Sequence, residues 1–237
     1  SLFAKNRKVE YDNKDIALVN IRTNPDNQIF RAMDDDEDIR ILAEDIKRNG
    51  LMHNLVVFPE QEEGSAVYVL LSGERRFRAL NYLQEKGDAT WNIVNCNVVT
   101  TPLTENEKKV LLYSANLQVR GGFSDEAIRR QAIAEFITCL QREPYNMSRE
   151  EALNATKSVS TVNPRTIERD ARIEEKLKGK LKTLLNDKFL TRSECETYLR
   201  FEADKQDEIA NRFEKLQAVD CHSDDAESAG KNYVEVL

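Results

Sequence analysis

The sequence predicts an α+β protein in two parts: a small mixed-sheet domain over residues 1–119 and an all-helical domain over residues 120–218. Three observations lead there. In the first half, apolar runs of strand length alternate with helical patterns. From residue 105 onward, apolar residues recur almost only at helical spacing. Between the two halves lies Gly121-Gly122, a pair suited to a joint.

Composition narrows the function classes. With 237 residues, 40% hydrophobic and 32% charged, the chain has core material for two modest domains under a charged surface. No apolar run approaches the roughly 20 residues that span a bilayer. Residues 1–8 lack the apolar stretch of a signal peptide, so a cytoplasmic, membrane-free protein is expected. Cys96, Cys139, Cys195 and Cys221 are scattered, with no Cys-x-x-Cys and no Cys/His cluster. Structural zinc and a disulfide framework are therefore not expected. The net charge of −7 is uneven: acid gathers toward both ends and the middle is mildly basic. Nucleic-acid binding needs a local positive face, not a positive whole.

The elements follow in order. Residues 16–21 read as a strand, ended by the turn-rich Thr23-Asn24-Pro25-Asp26-Asn27. The acids Asp34 to Asp38 suit a helix start, and Ile39, Leu42, Ala43 and Ile46 recur at helical spacing. Asn49-Gly50 stops that helix. Residues 55–58 and 67–71 read as strands of a hairpin around a turn at 62–65. Ser72-Gly73 turns into a helix from Glu74 to about Lys86, and residues 91–99 form a further strand before Pro102. Helices are then expected over 105–117, 124–142, 148–158, 164–178, 181–188, 191–200 and 203–217, with an acidic, mobile tail over 219–237. In the last helices, Leu181, Leu184, Leu185, Phe189, Leu190, Tyr198, Leu199, Ile209, Phe213 and Leu216 read as core.

The first chemical motif is Ser72-Gly73-Glu74-Arg75-Arg76-Phe77-Arg78-Ala79. A strand runs into a glycine that permits close backbone approach, then into a helix start whose N–H groups favour an anion. Arg75, Arg76 and Arg78 add forked donors that match phosphate oxygens. Arginine near a helix N-terminus opposes the dipole, so three of them call for a reason. A solvated charged helix face is the competing account.

This stretch resembles the Gly-Glu-Arg-Arg-x-Arg-Ala box of the ParB family, matched at every fixed position. Upstream, Leu42 to Val57 resembles the preceding box, with His53 and Asn54 where the family has Gln-Pro. The third box, Glu-Asn-x-Gln-Arg, is matched by Asn116 and Gln118, with Arg120 shifted by one and Ala115 in place of the glutamate. The resemblance implies a ParB/sulfiredoxin-like N-terminal domain that binds CTP, the nucleotide closing a dimeric clamp on DNA. It implies that Gly73, Glu74, Arg75, Arg76 and Arg78, flanked by Ser72 and Ala79, hold the triphosphate. Gly50, Leu51, Met52 and His53 would lie by the base, and Asn116 and Arg120 would complete the nucleotide site, Asn116 also near Mg2+. An alanine at 115 neither ligates magnesium nor orients water, so binding is favoured over hydrolysis, with Glu74 the remaining candidate for a weak CTPase. The implied partners are double-stranded DNA with a specific centromere-like site, a second copy of the chain and a ParA-type ATPase. A nucleoid- or plasmid-associated partition role follows from the same likeness.

The second constellation supports DNA binding from the residues themselves. Ser148 and Glu151 make a capping box. After a short turn, Asn163 suits an N-cap and Pro164 the first helical position. Ile167, Ala171 and Leu177 face inward at helical spacing, leaving Arg165, Thr166, Arg169 and Arg172 outward. That is the helix-turn-helix layout, with Ser160, Thr161 and Asn163 in or beside the turn. An ordinary helical hairpin competes with it.

Other classes fare worse. Sulfiredoxin chemistry needs a Cys-His pair where this chain has Glu74-Arg75. A two-metal nuclease needs clustered acids, and the run Asp34 to Asp38 reads better as a helix start. A transcriptional repressor with a nucleotide-free first domain remains open, supported by His53, Asn54 and Ala115.

Overall fold

The computed structural model describes residues 8–31, 36–62, 65–119 and 125–220. The expected joint at Gly121-Gly122, Arg120, Asp34, Asp35 and the tail from Cys221 onward lie outside the described residues. The chain falls into two compact units, Ser1–Glu168 and Arg169–Leu237.

The first unit is built on a five-stranded mixed sheet, confirming the α+β class. Strands β1 (Tyr11–Ala17), β2 (Ile21–Arg22), β3 (Leu55–Glu62), β4 (Ser65–Ser72) and β5 (Ile93–Val99) lie in the order β1-β5-β3-β4-β2. β1 runs antiparallel to β5, β3 parallel to β5, β3 antiparallel to β4, and β2 parallel to β4. The predicted strand over 16–21 is corrected to two short strands around a 3-10 turn, Leu18–Asn20. The reason is topological: β1 and β2 lie at opposite edges of the strand order. Four residue steps reach roughly 14 Å, whereas four flat strand spacings need roughly 19 Å, so the sheet must curl. Pro59 sits inside β3 opposite Tyr68 of β4, beyond the stretch from Leu55 to Val57 that pairs with β5.

Helix α1 (Gln28–Arg31) was not visible in the turn-rich sequence before it. It buries Phe30, whose ring meets Tyr113 edge-on at 5.9 Å between centroids. Helix α2 (Asp36–Asn49) begins with Asp36, Glu37 and Asp38 and ends with Lys47 and Arg48, both suited to its dipole. Its Ile39, Ala43 and Ile46 enter the core at i, i+4, i+7, and Gly50 closes it with φ +78° and an N–H bond to the Ile46 carbonyl at 2.8 Å. Helix α3 (Glu74–Glu85) packs beside α2, burying Phe77, Leu80 and Leu83. The predicted strand over 91–99 starts later: Trp91 lies in a 3-10 turn, Ala89–Asn92, capped by Asp88 accepting from the Thr90 N–H at 3.1 Å. Along β5, Val94, Cys96 and Val98 face the core, while Asn95 and Asn97 face outward.

The helices after residue 105 match the sequence pattern closely. They are α4 (Glu105–Val119), α5 (Glu126–Gln141), α6 (Arg149–Val159) and α7 (Pro164–Lys176), followed by α8 (Gly179–Asn186), α9 (Arg192–Tyr198) and α10 (Ala203–Asp220). In the first unit α4 packs on β4 and on α5, and α5 on α6. The second unit has its own core, gathered from Ile173, Leu177, Leu181, Cys195, Ile209 and Phe213 among others. Gln206 is buried there and serves two helix ends: it donates to the Lys176 carbonyl at 3.0 Å and accepts from the Lys178 N–H at 2.9 Å. Phe189, expected in the core, is 63% exposed. Lys188 adopts φ 65°, which swings Phe189 outward and returns Leu190 inward. The Leu216 side chain lies outside the described residues. Among the described residues no helix is long and apolar enough to cross a membrane. Cys96, Cys139 and Cys195 are free and buried.

Candidate nucleotide and DNA interfaces

The turn between β4 and α3 depends on glycine. Gly73 has φ +106°, and a Cβ there would lie 2.8 Å from Leu55 Cδ2 and 3.1 Å from Arg76 Nη2. Its carbonyl accepts the Phe77 N–H at 2.9 Å, opening α3, and no side chain caps the helix start. Such an uncapped start turns donors outward.

The three arginines of this helix have different roles. Arg76 folds back, and its Nη1 donates to the carbonyl of Asn54 at 2.9 Å and to that of His53. Burial pulls its guanidinium below the ordinary arginine value. Arg76 thus ties the loop after α2 to the start of α3. Arg75 and Arg78 face α2, where Arg75 approaches Asp38 at 3.8 Å and Arg78 donates to Asp36 at 2.9 Å. Glu74 is buried, and Ala79 is fully buried in the core, where it packs.

The loop that Arg76 holds runs from Gly50 to Asn54. Leu51 packs against the core, and Met52 and His53 are exposed. Asn54 stands where the resembled motif has proline, and its amide reaches Asn95 Oδ1 at 2.7 Å on β5. A proline cannot make that bond. On α4, Asn116 donates to the Leu112 carbonyl at 2.9 Å and to Asn27 Oδ1 at 3.4 Å, and Ala115 is half-buried beside it. The amide oxygen is the side-chain atom of Asn116 able to ligate a cation. No group of three or more His, Cys, Asp or Glu suited to a metal assembles among the described residues.

The second candidate interface lies on α6 and α7. The capping box forms: Ser148 Oγ accepts the Glu151 N–H, and Glu151 Oε2 accepts the Ser148 N–H. Ser160 Oγ accepts the Val162 N–H at 3.1 Å, and Asn163 Oδ1 accepts the Arg165 N–H at 2.9 Å. Both side chains therefore shape the turn. Thr161 is exposed, its N–H bonded to the Leu117 carbonyl at 3.3 Å. Lys157 on α6 bonds Glu168 on α7. Arg165 is exposed and Thr166 half-buried, opposite the buried Ile167. Farther along α7, Arg169 and Arg172 both bond Glu196, on α9. Glu196 went unnoticed in the sequence, since it lies 27 residues from Arg169 with no periodic signal linking them. Its carboxyl is held below the ordinary glutamate value by the Arg169 hydrogen bond first, then by Arg172. Asp170 is fully buried, with Arg192 Nε 3.7 Å away.

The model of the ParB N-terminal domain matches residues 3–107. A solved Pnob8-like ParB-N domain is similar with a TM-score of 0.51 at 11% identity, over 91% of this chain and 85% of that one, which shows the fold. Two structures of the C-terminally truncated chromosome-partitioning protein ParB from Caulobacter crescentus are more loosely similar. The one complexed with CTP-gamma-S has a TM-score of 0.37 at 18% identity, covering 85% of this chain and 98% of that one. The one complexed to the centromeric parS site has a TM-score of 0.31 at 15% identity, covering 90% of this chain and 100% of that one. No curated protein sequence matches the chain.

Proposed function

Residues 3–107 match the model of the ParB N-terminal domain, and on that premise we propose that this is a partition-type protein that binds CTP in its first domain and a specific duplex site through α6 and α7. The functional division in this reading is residues 1–119 for nucleotide and 120–218 for DNA. The observation that carries it is the Gly73 turn: a left-handed glycine opening an uncapped helix with Arg75 and Arg78 in its first turns. Such a start offers backbone N–H groups and forked cations to one triphosphate.

In this reading Arg76 shapes the site by holding the loop of His53, and Arg75 and Arg78 engage phosphate oxygens after leaving Asp38 and Asp36. Gly50 to His53 border the base, Ser72 and Glu74 flank the turn, and Arg120 belongs to the site by resemblance. Mg2+ would be held mainly by the phosphates, with the Asn116 amide oxygen as a protein ligand. It would neutralise phosphate charge. Ala115 leaves no carboxylate at that position, so the nucleotide acts as a bound switch rather than a substrate turned over quickly. On α7, Arg165 and Thr166 reach base edges, Arg169 and Arg172 lie farther along the helix, and Thr161 meets the backbone. A homodimer clamp and a ParA-type ATPase partner complete the proposal.

Calorimetric titration of CTP with magnesium, against ATP, GTP and UTP, tests it in wild type and in the Arg75→Ala/Arg78→Ala double variant. Selective CTP binding, lost in the double variant, is the expected result. Absence of nucleotide binding defeats the switch and leaves the second reading, a DNA-binding repressor. The pairing of Arg75 and Arg78 with α2 acids is what favours that second reading.

A further inference from the structure

The carboxylate of Glu196 receives three charge-assisted hydrogen bonds from α7. Arg169 grips it with its fork, Nε to Oε1 at 2.9 Å and Nη2 to Oε2 at 2.8 Å. Arg172, one turn on, adds Nη2 to Oε1 at 3.0 Å. Glu196 is the least exposed of the three, its side chain 22% accessible against 41% for Arg169 and 53% for Arg172. Its helix is well anchored. Thr191 and Glu194 form a capping box, Cys195 and Tyr198 enter the core, and Arg192 lies by buried Asp170. The carboxylate is thus the fixed point, and the arginines are set by it.

We infer that Glu196 is a positioning, specificity-determining residue for DNA: it aims Arg172 at the duplex and cancels one of two positive charges that would otherwise bind any phosphate backbone. The inference rests on the proposed reading of α7 as the DNA-contacting helix and adds to it a residue from another helix. A guanidinium fork fits phosphate as well as carboxylate. Two unrestrained arginines on a helix face would settle on the nearest phosphates, contacts that carry no sequence information. The bidentate grip withdraws Arg169 from that competition. Arg172 spends one N–H group on Glu196 and presents the others in a set direction, which spares ordering entropy on binding.

The test uses the full chain as wild type, Glu196→Gln and Glu196→Asp, with two probes. One is a random-sequence duplex pool for binding-site selection, and the other is a short duplex of arbitrary sequence titrated against salt. Glu196→Gln is expected to bind the arbitrary duplex more tightly, with a salt slope steeper by about one phosphate contact. It should also enrich a less sharply defined sequence from the pool. Glu196→Asp, which keeps the charge, should follow the wild-type slope. Damage to the fold would weaken binding to both probes, the opposite sign, and would overturn the inference. An unchanged slope with unchanged enriched sequences would overturn it too, leaving DNA binding by α7 intact. A wild type that binds neither probe removes the DNA reading and this inference together.

Discussion

Arg76 donates from Nη1 to the carbonyl oxygen of Asn54 at 2.9 Å, and the same nitrogen reaches the carbonyl of His53. One guanidinium on the first turn of α3 therefore holds the loop that enters β3. Arg76→Ala leaves both carbonyls without a charged donor, an expected loss of about 1–3 kcal/mol in urea unfolding. Arg76→Lys, a single point charge without a fork, should recover only part of it. Nucleotide binding will fall in Arg76→Ala for this reason alone, so Arg75 and Arg78 are the cleaner probes of phosphate contact.

Gly73 meets two constraints at once, and a second glycine separates them. Gly87 also has positive φ, at +89°, but a Cβ there meets nothing within 4 Å. Gly87→Ala should cost only the left-handed backbone penalty, about 1–2 kcal/mol. Gly73→Ala adds the 2.8 Å approach to Leu55 Cδ2 and should lower the melting temperature clearly more. Equal effects would mean that Leu55 gives way freely.

Helices and strands were legible where burial follows a period. The apolar positions of α2 and α7 stand out in sequence because each helix keeps one dry face, and Ile39, Ala43, Ile46 and Ile167 lie where that period puts them. The break at Leu18–Asn20 was hidden, because a strand pattern says nothing about which sheet edge it must reach. Phe189 misled because hydrophobicity alone assigns it inward, whereas the backbone at Lys188 decides. In the candidate site, the glycine turn and the helix start behind it were legible, but the separate contacts of its arginines were not. Those contacts depend on Asp36, Asp38 and the carbonyls of His53 and Asn54, partners from other elements. Glu196 was invisible for the same reason.

The contact between Lys157 and Glu168 ties α6 to α7, and it is titratable. The Lys157 hydrogen bond, more than any other cause, holds the Glu168 carboxyl below the ordinary glutamate value of 4.5. A carboxyl with a depressed folded pKa contributes stability above its unfolded value, and that contribution is lost as pH falls through the folded one. Carbon-detected NMR titration of Glu168 should therefore give a midpoint below 4.5 in wild type. In Lys157→Ala the midpoint should move back up. No movement would show that the pair does not persist in solution.

The acids of α2 set the threshold for phosphate binding in the proposed site. Asp36 holds Arg78 at 2.9 Å and Asp38 approaches Arg75 at 3.8 Å, both pairs at the surface. Exposed pairs of this kind contribute only about 0.2–1 kcal/mol, so a triphosphate with several charged oxygens can displace them. Removing the acids also removes repulsion toward the incoming phosphates. Asp36→Asn and Asp38→Asn should each tighten nucleotide binding roughly 1.4- to fivefold, the change that such a pair energy implies. The gain should shrink as salt rises, because the charges are exposed and screened. Calorimetry at low and high salt reads both effects. Weaker binding in Asp36→Asn would mean that Asp36 holds Arg78 in place for the nucleotide instead of competing with it.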